Sequence, residues 1–548
     1  MIVEKIKSPG LASLILGSLL VVGVVHSPLL AFSQKGATAR GVAIQFNQAG
    51  LSSLTYRGKQ FLSDGTFQVG DVEFQSGTGT TVPASLVGQT SVNVGLHQVT
   101  NSYPWGNISA QYIAIGSRLE ITITTQNSSQ STIATVVYSP FTLVTPQKPT
   151  NFDGIDPLVD ANIGAPTVEE LDYGSGVAAW VNEDPSKPLM SGFPWSYNAP
   201  TDTQFPVRIN TGQDSMYPTF YPNVVRPIPP GASDTYQLSL RFGPEGSTPQ
   251  SLAPDVFETF ADTFPSVLNW TDRRAIGQLI LATSATGWAT NPRGWLLDPS
   301  IDVTTSAGIA AFHARVLQWA EYSAAQLVSM NAQGMVTWDI EGEQYPQPDG
   351  TYVGDPSQIA LFAPEMDSIA DAYFAVFRNA GLKVGVCIRP QNIVRAANGS
   401  SATQNYIADP TQLLINKILY AKQRWGATIF YVDSNVDPNG GVDDANIFQR
   451  VVAAVPGVLI LPEHSNLQYY AYTAPYLELD QNYTSSPTLA RITYPNAFSV
   501  LSLANGDTQT NYGALLKAVE GGDALMFRGW FAAPENLVVT QLYQAAAQ

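Results

Sequence analysis

The sequence predicts a multidomain chain, an N-terminal antiparallel β-sandwich followed by a (β/α)8 barrel. Three observations carry this expectation. At 548 residues the chain is too long for one ordinary hydrophobic core. Residues 38–244 read as short runs rich in Val, Ile, Thr and Tyr, separated by Gly, Asn, Ser or Pro. From residue 256 to residue 548 the rhythm changes to strand, helix, strand, helix, over a length that suits one barrel.

In the first half, GVAIQF, GLSSLTYRGKQFL, TSVNVGL, AQYIAIG, RLEITITTQ and TYQLSLRF largely alternate apolar and polar residues. That pattern suits sheets with one buried face. The stretch EGSTPQSLAPD, residues 245–255, reads as a linker. Eight apolar runs follow: AIGQLILATS, MVTWDIEG, KVGVCIRP, TIFYVDSN, VLILPEHS, YLELDQNY, AFSVLSLAN and ALMFRGW. They supply the strands of a (β/α)8 TIM barrel. Helical spacing between them is clearest at Phe362, Met366, Ile369, Tyr373 and Phe377, with Gly381 as the stop. Another helix starts at Asp409-Pro410 and runs to Trp425-Gly426. An open doubly wound sheet is the alternative, but no Gly-rich phosphate loop follows the first strand.

The formal net charge of −17 and the absence of a basic run exclude nucleic acid as the main partner. Residues 1–33 read as a cleaved secretory signal, with Lys5 and Lys7, an apolar run from Leu11 to Val25, and Ala31-Phe32-Ser33 as the cleavage site. A retained anchor is the rival reading, but the run is short against a full span of about 20 residues. The expected location is therefore secreted or periplasmic, in a bacterial envelope, with no stable membrane span after cleavage. The lone Cys387 permits no intramolecular disulfide and reads as a small buried hydrophobe.

The active site of such a barrel lies at the C-terminal ends of its strands. Here those ends carry Trp338, Asp339 and Glu341, then Arg389, then Asp433 and Asn435, then Glu463 and His464, then Asp480, and finally Arg528 and Trp530. A buried core avoids such groups, because an unpaired desolvated charge is costly. Their repetition points to one charged mouth. The plainer reading of each residue is an ion pair between loops, and for Arg389 and Arg528 it stands level with substrate binding. Two carboxylates flanking a bond suit glycoside hydrolysis. No GxSxG is present, and the scattered His26, His97, His313 and His464 argue against a zinc centre, so no metal site is expected.

A sandwich ahead of a barrel, with YVDS closing the fourth strand and a glutamate closing the fifth, resembles the retaining α-glycosidases of the endo-α-N-acetylgalactosaminidase type. The stretch GLSSLTYRGKQFL resembles the opening hairpin of the galactose-mutarotase-like sandwiches that precede the barrel in many glycoside hydrolases. The resemblance implies Asp433 as nucleophile and Glu463 as acid/base. The α-galactosidase clan also uses a strand-four aspartate but takes its acid after strand six, which here implies Asp480. The KWD or KYD lead of that clan is missing. Asp339, Glu341, Arg389, Asn435, His464 and Arg528 are then candidates for binding the sugar. Trp338 and Trp530 either stack on the ring or pack in the core.

The expected function is an exported glycoside hydrolase that cleaves an α-linked sugar of an oligosaccharide by a retaining mechanism, without a cofactor. One rival is a non-catalytic carbohydrate-binding protein on a hydrolase-like barrel. Another is a polysaccharide lyase or sugar isomerase that uses Tyr431 and Arg389. The stretch DSNVDPNGGVDD also resembles a calcium loop, since Asp433, Asn435, Asp437 and Asn439 alternate and Asp444 is twelfth. Pro438 stands where such a loop needs glycine, so chemistry at Asp433 and a turn beyond it is the preferred reading.

Overall fold

The computed structural model describes residues 41–76, 80–149, 151–154, 166–187, 189–193, 203–212, 226–282, 287–343, 353–395, 402–438, 441–479, 484–503, 507–527 and 535–547. The signal-like segment 1–33, Asn439, Asp480, Arg528 and Trp530 lie outside these residues.

The N-terminal half is antiparallel. Its large sheet has eight strands in the order Asn151–Gly154, Val168–Asp172, Val177–Asn182, Ser233–Gly243, Arg118–Asn127, Gly106–Ile115, Gln98–Tyr103 and Gln89–Asn93. A five-stranded sheet centred on Ile133–Ser139 and two three-stranded sheets complete it. Along Arg118–Asn127 the pleat sends Leu119, Ile121 and Ile123 inward, where they share one core with Val72, Val136, Tyr138 and Ile209 of the five-stranded sheet. The opening hairpin pairs Gly50–Tyr56 with Lys59–Gln60. Its two-residue turn, Arg57-Gly58, has both φ values positive (51° and 77°), the twist that a tight hairpin needs.

Strand Val177–Asn182 is buried throughout because both of its faces are covered. Ala178 and Trp180 face the sandwich core, while Ala179 and Val181 pack against Ala253, Val256 and Phe257. The segment expected to be a plain linker is therefore partly helical. Thr248 forms a capping box on the short helix Pro249–Leu252, and Pro254 opens the helix Pro254–Thr263. Arg241, buried on the strand beside Val177–Asn182, bonds Glu183 at 2.7 Å and Asp255 at 2.5 Å, fixing the helix to the sheet.

The second half is a nearly closed parallel barrel. Its strands are β1 (Ile276–Leu279), β2 (Gly334–Thr337), β3 (Lys383–Ile388), β4 (Ile429–Val432), β5 (Leu459–Pro462), β6 (Tyr476–Glu478), β7 (Val500–Leu503) and β8 (Ala524–Phe527). Hydrogen bonding runs continuously β5-β4-β3-β2-β1-β8-β7-β6. The seam between β5 and β6 is crossed where Ala474 N–H donates to Ile460 C=O at 3.0 Å. Every predicted strand run overlaps one of these strands.

The helices follow from their apolar faces. Pro364–Asn379 buries Met366, Ala370, Tyr373, Phe374 and Phe377, and Gly381 takes the left-handed conformation just past its end. Phe362 falls in a separate turn, Ile359–Phe362, because Pro364 begins a new helix. Asp409 accepts the Thr411 N–H at 3.1 Å just ahead of helix Thr411–Trp425, whose N-cap position is Pro410 and which stops at left-handed Gly426. Between β5 and β6 lies only the short 3-10 helix Leu467–Ala471. Trp338, Cys387, Tyr431 and Tyr476 fill the barrel interior with Val336, Ile429 and Leu461. Among the described residues, no helix is long and apolar enough to cross a membrane.

Candidate active site

Asp433 is the first residue past β4, and its N–H extends the ladder to Ile388 C=O on β3 at 2.9 Å. One carboxylate oxygen, Oδ2, accepts from Nε of Arg389 at 2.6 Å and also from its Nη2. Both side chains are buried. This is a charge-assisted fork in low dielectric, where geometry counts for more than at the surface.

Arg389 is itself held from behind. Lys417, buried on helix Thr411–Trp425, donates to the carbonyls of Arg389 (2.8 Å), Gln391 (2.9 Å) and Gly354 (3.0 Å). Burial lowers the Lys417 pKa to about 8, against the opposing pull of Asp355 and Glu341. Arg389 N–H donates to Gly354 C=O at 2.9 Å. Gly354 has φ +60°, and a Cβ there would lie 2.7 Å from Arg389 Cγ, so the close approach requires glycine.

Glu463 follows β5 and is half-buried. Its Oε2 accepts the Ser434 N–H at 2.6 Å. Ser434 is a non-glycine residue with φ 53°, a local strain that turns this N–H towards Glu463. Gln391 secures the same turn by donating to Ser434 C=O at 2.6 Å. Burial first, and the neighbouring Asp433 second, push the Glu463 pKa up to about 7, with the bond from Ser434 opposing. The two catalytic candidates from β4 and β5 are thus brought side by side.

The remaining predicted residues divide by placement. Asn435 is fully buried and clamps the loops after β4 and β5. It accepts from His464 N–H and donates to His464 C=O, both at 2.8 Å, and also donates to the Tyr469 hydroxyl at 3.1 Å. His464 is largely exposed, its Nε2 3.8 Å from Glu463 Oε2. Asp339 is fully buried and accepts from the N–H groups of Leu281 (2.8 Å) and Ala282 (2.6 Å) after β1. Burial raises its pKa to about 7, with those two bonds opposing. Glu341 is buried too, and burial raises it to about 8. Trp338 sits inside the barrel, stacked on Tyr431 with ring centroids 3.9 Å apart. With only 5% of its surface exposed, it offers almost no face to a sugar.

Sequence reasoning passed over Lys417 and Glu343. Lys417 shares a helix face with Leu414, Ile418, Ala421 and Trp425, and a lysine within such a stripe is itself a signal. Glu343 continues the alternation of Asp339 and Glu341. It is buried, and its pKa is raised to about 8 by burial and then by Asp339.

A cavity of about 200 Å³ opens beside the acid, lined in part by Glu463, His464, Ser465, Tyr476 and Glu478. A larger groove, about 710 Å³, runs past Leu281, Leu297, Trp319 and Tyr322, with no carboxylate among the described residues of its lining. The acids of the calcium-like loop have other tasks. Asp437 accepts Gly441 N–H at 3.0 Å, and Asp444 caps Ala445–Ala454 through Asn446 N–H at 2.9 Å. Among the described residues, no three His, Cys, Asp or Glu side chains are grouped to hold a metal ion.

No family model matches the chain, and no curated protein matches it. Solved structures do resemble it. An α-N-acetylgalactosaminidase from Bifidobacterium bifidum, in complex with GalNAc, is 11% identical, with a TM-score of 0.48 over 94% of this chain and 92% of its own. An α-galactosidase from Lactobacillus brevis is 12% identical, with a TM-score of 0.44 over 92% of this chain and 72% of its own. A GH36 α-galactosidase from Geobacillus stearothermophilus, in complex with stachyose, is 9% identical, with a TM-score of 0.40 over 88% of this chain and 76% of its own.

Proposed function

We propose that this protein is a glycoside hydrolase that cleaves an α-linked sugar by a retaining mechanism, with Asp433 as nucleophile and Glu463 as acid/base. The observation that carries this reading is the pairing of two adjacent carboxyl groups in unlike surroundings. Asp433 faces the Arg389 guanidinium, while burial and the Asp433 charge keep the proton on Glu463 up to about pH 7. In the first step Glu463 gives its proton to the glycosidic oxygen. That C–O bond breaks as Asp433 bonds to the anomeric carbon. Glu463, now ionised, then takes a proton from water, whose oxygen displaces Asp433 and regenerates both groups. Side-by-side carboxyls favour retention, since inversion needs a gap of roughly 6.5–9.5 Å to admit water.

The lyase alternative loses support on two counts. Arg389, its candidate for neutralising a uronate, is engaged by Asp433. Tyr431, its candidate base, is stacked under Trp338, and burial holds its hydroxyl well above the usual range. We place the enzyme outside the cytoplasm, in the periplasm or secreted, on the strength of the signal-like residues 1–33, with an oligosaccharide as substrate. A panel of nitrophenyl α- and β-glycosides tests the reading, with the product anomer followed by NMR. Release from an α-glycoside with an α-configured first product is expected. A β-configured first product would remove the retaining assignment, and an unsaturated product absorbing in the near ultraviolet would replace hydrolysis with elimination.

A further inference from the structure

Glu343 is 1% exposed, and neither carboxyl oxygen has a hydrogen-bond partner among the described residues. A buried carboxyl without a partner is costly, and chains retain one where a ligand completes it. The placement of Glu343 is fixed by its backbone. Gly342 before it has φ +69°, and a Cβ there would lie 2.6 Å from the Arg293 side chain. Glu343 N–H donates to Arg293 C=O at 3.3 Å. Glu343 follows β2 as Asp433 follows β4, at the same end of the parallel barrel, and the charges of Asp339 and Arg389 both act on its carboxyl.

We propose that Glu343 is a substrate-binding residue whose carboxyl takes hydroxyl groups of the sugar, and that the mouth accepts neutral sugars and rejects anionic ones. The inference deepens the glycosidase reading and rests on it. A protonated carboxyl both donates and accepts, which suits a pair of sugar hydroxyls. Asp339, Glu341 and Glu343 follow β2, Asp433 follows β4 and Glu463 follows β5, at the same end of the barrel, and Arg389 is committed to Asp433. A uronate or sulfated sugar entering here loses its water in low dielectric and finds the Arg389 cation already engaged by Asp433.

The test measures binding of galactose, N-acetylgalactosamine, fucose, glucose and glucuronate by calorimetry to the wild type, Glu343→Leu, Glu343→Gln and Asp433→Asn, with Tm recorded for each. A neutral sugar binds the wild type and Asp433→Asn, and glucuronate does not. In Glu343→Leu the affinity falls by about 10- to 100-fold, while Tm stays equal or rises because an unpartnered buried carboxyl is gone. Glu343→Gln, the near-isostere, lies between and keeps the test open if the leucine variant misfolds. Wild-type affinity in both variants overturns the inference, as does tighter binding of glucuronate, or the failure of the wild type to bind any neutral sugar. Sugar binding that depends on Glu343, without turnover of any glycoside, keeps this assignment and removes the hydrolase reading. Turnover with an unchanged KM in Glu343→Leu does the reverse.

Discussion

The sandwich and the barrel mouth both bury ionisable side chains, and they settle the cost in opposite ways. In the sandwich, Arg226 bonds Asp234 at 2.6 Å, and Arg241 bonds Glu183 and Asp255. Burial alone would raise Asp234 and Asp255, but the arginine hydrogen bonds prevail and hold both below the usual carboxylate range. At the mouth burial prevails instead. Asp339 and Glu463 are raised to about 7, and Glu341 and Glu343 to about 8. Matched charges fasten one layer to another. Mismatched ones hold their protons, and at Glu343 they leave hydrogen-bonding capacity unused among the described residues.

The sharpest way to break this comparison is at Asp433. Both Asp433→Ala and Asp433→Asn should lower kcat by about 10⁴-fold or more, since the nucleophile is gone. Their stabilities should differ. Alanine leaves the Arg389 guanidinium buried without its partner and costs about 3–5 kcal/mol, whereas asparagine keeps an acceptor and costs less. Urea denaturation separates the two. Equal stability would mean that Arg389 finds its main support elsewhere.

A pH series sharpens it next. If Glu463 is the acid, kcat/KM falls about tenfold per pH unit above pH 7, and Glu463→Gln loses that limb. Stability follows the same groups. The mouth carboxyls have folded values above their unfolded ones, so their contribution is complete below about pH 4 and is lost as pH rises towards 7 and 8. Asp234 and Asp255 are depressed, so theirs holds above about pH 4 and is lost below it. Tm should therefore peak in mild acid and decline towards pH 8. A Tm that climbs steadily to pH 8 would contradict the raised values. The smallest effect belongs to the sandwich. Arg241→Met should cost about 1–3 kcal/mol, discounted because Asp255 is half exposed, and should leave KM untouched. A changed KM would mean that the two halves communicate.

Much of this was legible in the chain itself. Strand runs with period two, and apolar strands ending in Asp433, Glu463 or Asp339, declare themselves because the barrel puts every strand end in one place. Division of labour among those residues was not legible. Asn435 and Asp339 look like sugar ligands from their positions, yet their bonds go to His464, Tyr469, Leu281 and Ala282, on other segments of the chain. Trp338 meets Tyr431 only when β2 and β4 curve around one interior. Lys417 acts on the loop after β3 from a helix further along the chain, and no local pattern names its acceptors. Contacts across the fold decide which polar group is spent on structure and which remains for a ligand.

Strand Val177–Asn182, covered on both faces, bears on how the molecule can be divided. A truncation placed at residues 245–255 would not free two independent modules. It would strip Ala253, Val256 and Phe257 from Ala179 and Val181, leaving each fragment with a greasy patch where it once met the other. Fragments made that way are candidates for inclusion bodies, and mixing them should restore solubility better than diluting either alone. Moving the cut past Thr263 only shifts the patch, because Phe260 of helix Pro254–Thr263 is buried in the barrel core beside Tyr494, so the helix belongs to both halves at once.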